Sequence, residues 1–269
     1  MNSYTDLSLE IDDPVAVLTV RRPEKMNAFT YQTLAEMRQA IDEAVADRRV
    51  VGIVVTGEGR AFSAGLDSQA LMNTVNAETT TPGSRSATTS EELPGLFSYF
   101  FNVPKPIVAA VNGVAAGGGL VLAMKADVRI ASTASSFTTV FLKRGLIGEH
   151  GMTWILPRLL GSGRAFDLLM TSKRIDAAEA HRIGLVDHLV EPDELLQRAK
   201  DYVREIAANC SPGAFADTKR LLYEHMGLTY GQSFREADAM QWEVLRRPDA
   251  TEGAKALIEK RAPNFERLG

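Results

Sequence analysis

The sequence predicts an α/β fold that ends in a helical C-terminal region, and three observations carry that prediction. Short apolar runs rich in β-branched residues alternate with segments of helical periodicity, the grammar of βαβ units. Two glycine-rich turns follow two of those runs, at "GRAFSAGLD" (59–67) and "NGVAAGGGLVLAM" (112–124). From about Pro192 the strand signals stop, and amphipathic segments follow one another, punctuated by Ser-Pro, Gly and Pro.

"YTDLSLEID" and "VAVLTVRR" alternate apolar and polar residues around the turn "DDP", which reads as a hairpin. "TYQTLAEMRQAIDEAVAD" (30–47) spaces its apolar residues helically, with Thr30 as the N-cap. "VVGIVVTG" (50–57) is nearly all apolar and suits a strand buried on both faces. Asn73 to Ser90 is Thr/Ser-rich, with Pro and Gly and almost no apolar anchor. It reads as a surface insertion or, because it follows a glycine turn directly, as a lid. "KPIVAAVNGVAAGGGLVLAMKADVRIAS" (105–132) is a second buried strand, a turn, a glycine-rich helix start and a further strand. The expected division is a core over 1–191 and a helical region over 192–269.

Bulk properties narrow the function classes. The chain has 269 residues, 45% of them hydrophobic and 24% charged, enough for one sizeable domain with a buried core. A net charge of −4 argues against a protein devoted to nucleic acid. Cys210 is the single cysteine, so no internal disulfide forms, and it reads as a small filler between helices. "MNSYTDLSLEIDDP" lacks a basic stretch followed by an apolar run, and no segment approaches the roughly 20 apolar residues that cross a bilayer. The expectation is a cytoplasmic protein without a membrane or nucleic-acid partner.

The glycine turns are the first candidates for chemistry. Ser63, Ala64 and Gly65 would let a ligand approach the backbone closely. Gly117, Gly118 and Gly119 immediately precede a helix, whose free N–H groups stabilise an anionic oxygen. Neither turn matches a phosphate loop or a dinucleotide fingerprint. No His/Cys/carboxylate cluster has metal-site spacing, so no metal is expected. The loop "GLIGEHG" (145–151) sets Glu149 beside His150. His181, His188 and His225 read as structural, Asp67 as a helix cap, and Asp127 with Arg129 as a structural pair.

In this order and spacing, the motifs "RRPEKMNAFT", "GEGRAFSAGLD", "KPIVAAVNGVAAGGGLVLAMKADVRIAS", "LPRLLG" and "EKRAPNF" resemble the crotonase superfamily, also called the enoyl-CoA hydratase/isomerase family. The resemblance covers nearly the whole chain. It implies a crotonase-like ββα spiral core with a C-terminal helical region that trimerises, giving a homotrimer or hexamer. It also implies an acyl-CoA thioester as ligand, with no cofactor beyond its CoA moiety. The two amides that polarise the thioester carbonyl in this family fall on Leu66 and Gly118. CoA is expected along Lys25, Met26, Ser63, Ala64 and Leu66, with Lys260, from the same or a neighbouring subunit, on a phosphate. Lys25 and Lys260 also read as solvated surface charges.

One departure from the family pattern is chemical. Hydratases of the family share one water between two glutamates, and the matching positions here are Val121 and Phe141. Some isomerases and a dehalogenase of the family carry their acidic residue at the position of Glu149. A carboxylate in an apolar pocket, expected to be lined by Val121, Phe141 and Trp154, would have its pKa raised toward that of a proton shuttle. His150 would orient it, act as a second acid, or be structural. The leading expectation is a double-bond isomerase with Glu149 as shuttle. The alternatives are a hydratase or hydrolase using the Glu-His loop, and a silent acyl-CoA-binding protein.

Overall fold

The computed structural model describes residues 4–75 and 95–269. Most of the Thr/Ser-rich segment, and with it the lid reading, lies outside the described residues.

The strands are β1 (Leu7–Asp12), β2 (Val15–Val20), β3 (Gly52–Gly57), β4 (Ala61–Ser63), β5 (Ile107–Val111), β6 (Val114–Ala116), β7 (Val128–Ser132), β8 (Ser136–Thr138), β9 (Ile175–Asp176) and β10 (His188–Val190). The helices are α1 (Tyr31–Ala46), α2 (Ser68–Val75), α3 (Gly118–Lys125), α4 (Met152–Leu160), α5 (Ser162–Thr171), α6 (Ala177–Arg182), α7 (Leu195–Asn209), α8 (Pro212–His225), α9 (Tyr230–Val244) and α10 (Pro248–Glu259).

β1 and β2 form the expected antiparallel hairpin, with Leu7 opposite Val20 and Asp12 opposite Val15. From β2 the large sheet continues in parallel through β3, β5, β7 and β10. A second sheet runs β4-β6-β8-β9. Each of β3, β5 and β7 is followed by a short strand of the second sheet, β4, β6 or β8, before the chain turns helical. This is the repeated ββα unit that the sequence led us to expect.

The apolar runs follow from burial on both faces of the large sheet. Ala16, Leu18, Val20, Ile53 and Val55 face the main core with Met37 and Ile41 of α1. Their alternates Val15, Val17 and Val54 face Leu195, Ala199 and Val203 of α7. α7, the first helix past Pro192, therefore covers the second face of the sheet. α1 begins as expected: Thr30 accepts from Thr33 N–H and Thr33 returns the bond, a reciprocal cap.

Two expectations need correction. Asp127 and Arg129 are not paired with each other. Asp127 accepts from Lys219 Nζ at 2.6 Å and Tyr223 Oη at 3.0 Å, both on α8. Arg129 instead pairs with Asp187 at 2.6 Å. Both partners lie far along the chain, so local spacing could not reveal them. Cys210 is exposed at the end of α7 and fills no space between helices.

Candidate active site

The first wall of the site is built by a buried asparagine. Asn27, in "RRPEKMNAFT", donates Nδ2 to the carbonyls of Glu58 (2.9 Å) and Ala61 (2.6 Å) and accepts from Arg22 N–H at 3.0 Å. These bonds fasten the loop before α1 to the turn between β3 and β4. Ser63 Oγ donates to the Asn27 carbonyl at 2.7 Å, and Ala64 N–H donates to the Met26 carbonyl at 2.9 Å. Met26, Ser63 and Ala64 are thus brought together, as expected of a common ligand-binding edge, and Lys25 lies exposed beside them. Ser63 is fully buried and its hydroxyl already bonded, so its side chain ties the two loops together instead of facing a ligand.

The glycine turns close on each other. Gly65 has φ +90°, and a Cβ there would lie 2.7 Å from Gly118 N. At Gly119 a Cβ would lie 2.0 Å from the Ser63 carbonyl oxygen. Both contacts exclude any side chain, so the two turns touch only because these residues are glycine. Leu66 bridges to Phe29 in parallel fashion: Phe29 N–H donates to Gly65 O and Asp67 N–H to Phe29 O, each within 2.9 Å. In that pattern the Leu66 N–H points to the opposite side. Gly118 is the first residue of α3, where an amide has no intrahelical acceptor. Among the described residues, neither of these two N–H groups donates to a protein acceptor. Both residues line one cleft.

Glu149 and His150 line the same cleft, with Phe141, Leu146, Leu96 and Arg144. Burial raises the Glu149 carboxyl above the usual carboxylate range. His150 Nε2 lies 3.7 Å from Glu149 Oε2, and its Nδ1 accepts from Leu96 N–H at 3.3 Å. Burial, and then the Lys125 cation, lower the His150 pKa. Lys125 is itself buried, and burial holds its ammonium down at about 8.

The structure corrects the expected pocket walls. Phe141 does line the cleft, whereas Val121 is fully buried within α3. Trp154 is 38% exposed, carries the Arg158 guanidinium 4.0 Å above its ring, and takes no part in the cleft. Lys260 is the C-cap of α10 and is not among the described residues that line the cleft. His181, His188 and His225 are occupied with Val186, Tyr202 and Glu236 respectively, away from the site. Asp67 caps α2 as expected, accepting from Gln69 N–H at 2.9 Å.

Sequence reading missed Asn27, Leu96, Lys125 and Arg144. Asn27 and Lys125 stood inside quoted motifs, but only their burial singles them out. Among the described residues, no group of three or more His, Cys, Asp or Glu could hold a metal, and no helix is long and apolar enough to cross a membrane.

Fold and site together define a class: repeated ββα units that bring two free amides and, among the described residues, one carboxylate to a largely apolar cleft. The chain belongs to the enoyl-CoA hydratase/isomerase family, within the crotonase superfamily, and a family model of that description matches residues 10–267. It is therefore an enzyme of acyl-CoA thioesters. The short-chain-enoyl-CoA hydratase of Clostridium acetobutylicum is 35% identical over 256 residues, 94% of each chain. The 1,2-epoxyphenylacetyl-CoA isomerase of Escherichia coli is 31% identical, over 95% of this chain and 96% of that protein. The crystal structure of an enoyl-CoA hydratase from Mycobacterium tuberculosis superposes with a TM-score of 0.85 at 31% identity, covering 97% of this chain and 98% of that one.

Proposed function

We propose that the protein isomerises the double bond of an enoyl-CoA thioester, with Glu149 as the single proton shuttle. The thioester oxygen would sit between the Leu66 and Gly118 amides, which hold the negative charge of the enolate; one such donor is worth ~3–4 kcal/mol. Glu149 would remove a proton from the carbon next to the thioester and return it two carbons along, on the γ-carbon. The double bond then moves into conjugation, and the carboxylate is regenerated. CoA would lie along Lys25, Met26, Ser63 and Ala64, with Lys260 on a phosphate, in a homotrimeric or hexameric cytoplasmic enzyme. No cofactor beyond the CoA of the substrate enters this scheme.

One observation carries the reading: among the described residues Glu149 is the only carboxylate that lines the cleft, and both positions that would hold a hydratase pair are apolar. The test is solvent deuterium incorporation next to the thioester of a β,γ-enoyl-CoA. Glu149→Gln should slow exchange by ~10²–10⁴-fold, the usual contribution of a positioned general base. Exchange at the wild-type rate would remove Glu149 from the reaction.

The 3.7 Å gap between Glu149 and His150 supports a second reading, in which the two groups hold a water for hydration. It requires 3-hydroxyacyl-CoA to form from crotonyl-CoA and to vanish in Glu149→Ala. Double-bond migration without hydration across a range of chain lengths excludes it.

A further inference from the structure

His150 lies at the junction of the "GLIGEHG" loop with α4, in left-handed backbone at φ 54°. That conformation is uncommon for a residue with a Cβ. It places the imidazole between two fixed groups. Nδ1 accepts the Leu96 N–H at 3.3 Å, so it carries no proton. The single proton of a neutral ring must then be on Nε2, which faces Glu149 Oε2 at 3.7 Å.

Among the described residues, the charged groups around the ring come from three segments. Glu149 approaches from its own loop, and Arg144, just before that loop, lines the same cleft. Lys125 approaches from α3. Its Nζ donates to Ser98 Oγ at 3.1 Å, sits 4.8 Å over the Phe101 ring, and is 3.3 Å from where a Cβ of Gly151 would be. A second proton on the ring would have to break the Leu96 contact and face this cation. Among the described residues, no carboxylate offsets the burial of Lys125.

We propose that His150 is a positioning residue, an uncharged Nε2–H donor that orients the Glu149 carboxylate, and that Lys125 keeps the ring uncharged. The proposal rests on the reading of Glu149 as the proton shuttle. The free protein holds the pair at 3.7 Å, longer than a hydrogen bond, and catalytic contacts commonly tighten only when substrate is bound. An imidazolium would do the reverse of what the shuttle needs. It would bind the carboxylate as an ion pair and weaken its basicity. Burial and Lys125 act in the same direction, against the charged ring.

The tautomer can be read without turnover, from the ring nitrogens of 15N-labelled protein at pH 7.5. Only four histidines contribute, and His150→Asn identifies the signals. The expected result is a protonated Nε2 and an unprotonated Nδ1; a protonated Nδ1 overturns the proposal. Kinetics supply the second arm. Asparagine tolerates left-handed backbone and can still accept from Leu96 N–H, but it is too short to reach Glu149. Glutamine extends an N–H to about the place of Nε2. His150→Asn should lower kcat by ~10–100-fold, as expected for a misplaced reacting group, with KM little changed. His150→Gln should recover most of that loss.

Lys125→Met should move the acidic limb of the kcat profile to higher pH in the wild-type background and leave it unmoved in His150→Gln. A limb that stays in place in both would overturn the role of Lys125. Equal losses in Asn and Gln, with one pH limb abolished, would make His150 a proton carrier and overturn the positioning role. That outcome would leave the Glu149 reading intact. Wild-type exchange in Glu149→Gln would instead remove the base itself, and the positioning role with it.

Discussion

Glu149 is held where its charged form is disfavoured, and this has a cost in stability as well as a use in catalysis. Its pKa in the folded chain is raised by burial, so the native state keeps the proton at pH values where the unfolded chain has lost it. The stabilisation from this group is fully present below the ordinary glutamate pKa of about 4.3 and disappears as pH rises through the raised native value. Glu149→Gln does not titrate. It should therefore melt above the wild type at pH 7.5 and together with it near pH 4. His150 is common to both proteins, so its own titration cancels in the comparison. The side chain of Glu149 is 36% exposed, which keeps the gain modest. A difference in melting temperature that is the same at both pH values would show that burial of the charge is not its cause. At this scale the sequence was informative where chemistry depends on backbone. The two glycine turns are legible because only glycine permits their approach. Asn27 was not, because its bonds run to carbonyls more than thirty residues away.

The elements show a similar split. β2, β3 and β5 are legible as runs of apolar, largely β-branched residues, and α1 by its period and its Thr30 cap. β4, β6 and β8 are three residues each, too short to carry a period, so the second sheet could not be read from the chain. The pairing of Asp127 escaped for a related reason, since its partners arrive on α8. Lys219 Nζ is buried against Asp127 at 2.6 Å, and the same carboxylate accepts Ile107 N–H at 2.8 Å and Tyr223 Oη at 3.0 Å. Asp127→Ala should destabilise the fold by about 3–5 kcal/mol, because it leaves a buried ammonium unpaired. Adding Lys219→Met removes that charge and should restore part of the loss. Urea denaturation of the two single variants and the double variant reads the coupling. Strictly additive losses would mean that the ion pair does not fasten α8 to the core.

At the scale of the molecule, the C-terminal helices carry large apolar side chains that the other described residues leave exposed. Tyr230 and Trp242 on α9 are 84% and 59% exposed, and Leu257 and Ile258 on α10 are 80% and 81% exposed. Soluble monomers rarely leave so many large apolar side chains in water on two successive helices. None of the helices among the described residues is long and apolar enough to cross a membrane. The proposed trimer would account for this surface, and also for Lys260, which follows Leu257 and Ile258 on the chain but is not among the described residues that line the cleft of its own subunit. Sedimentation velocity at micromolar concentration should give a mass three or six times 29.3 kDa. Leu257→Glu with Ile258→Glu should lower that mass and weaken binding of a CoA ester together, because each carboxylate would have to be buried unpaired at the contact. Lys260→Ala should weaken CoA-ester binding while leaving the mass unchanged. A wild type that sediments as a 29.3 kDa monomer would refute the assembly. Loss of assembly with unchanged CoA-ester affinity would show instead that each subunit completes its own nucleotide site, and would leave Lys260 a surface charge.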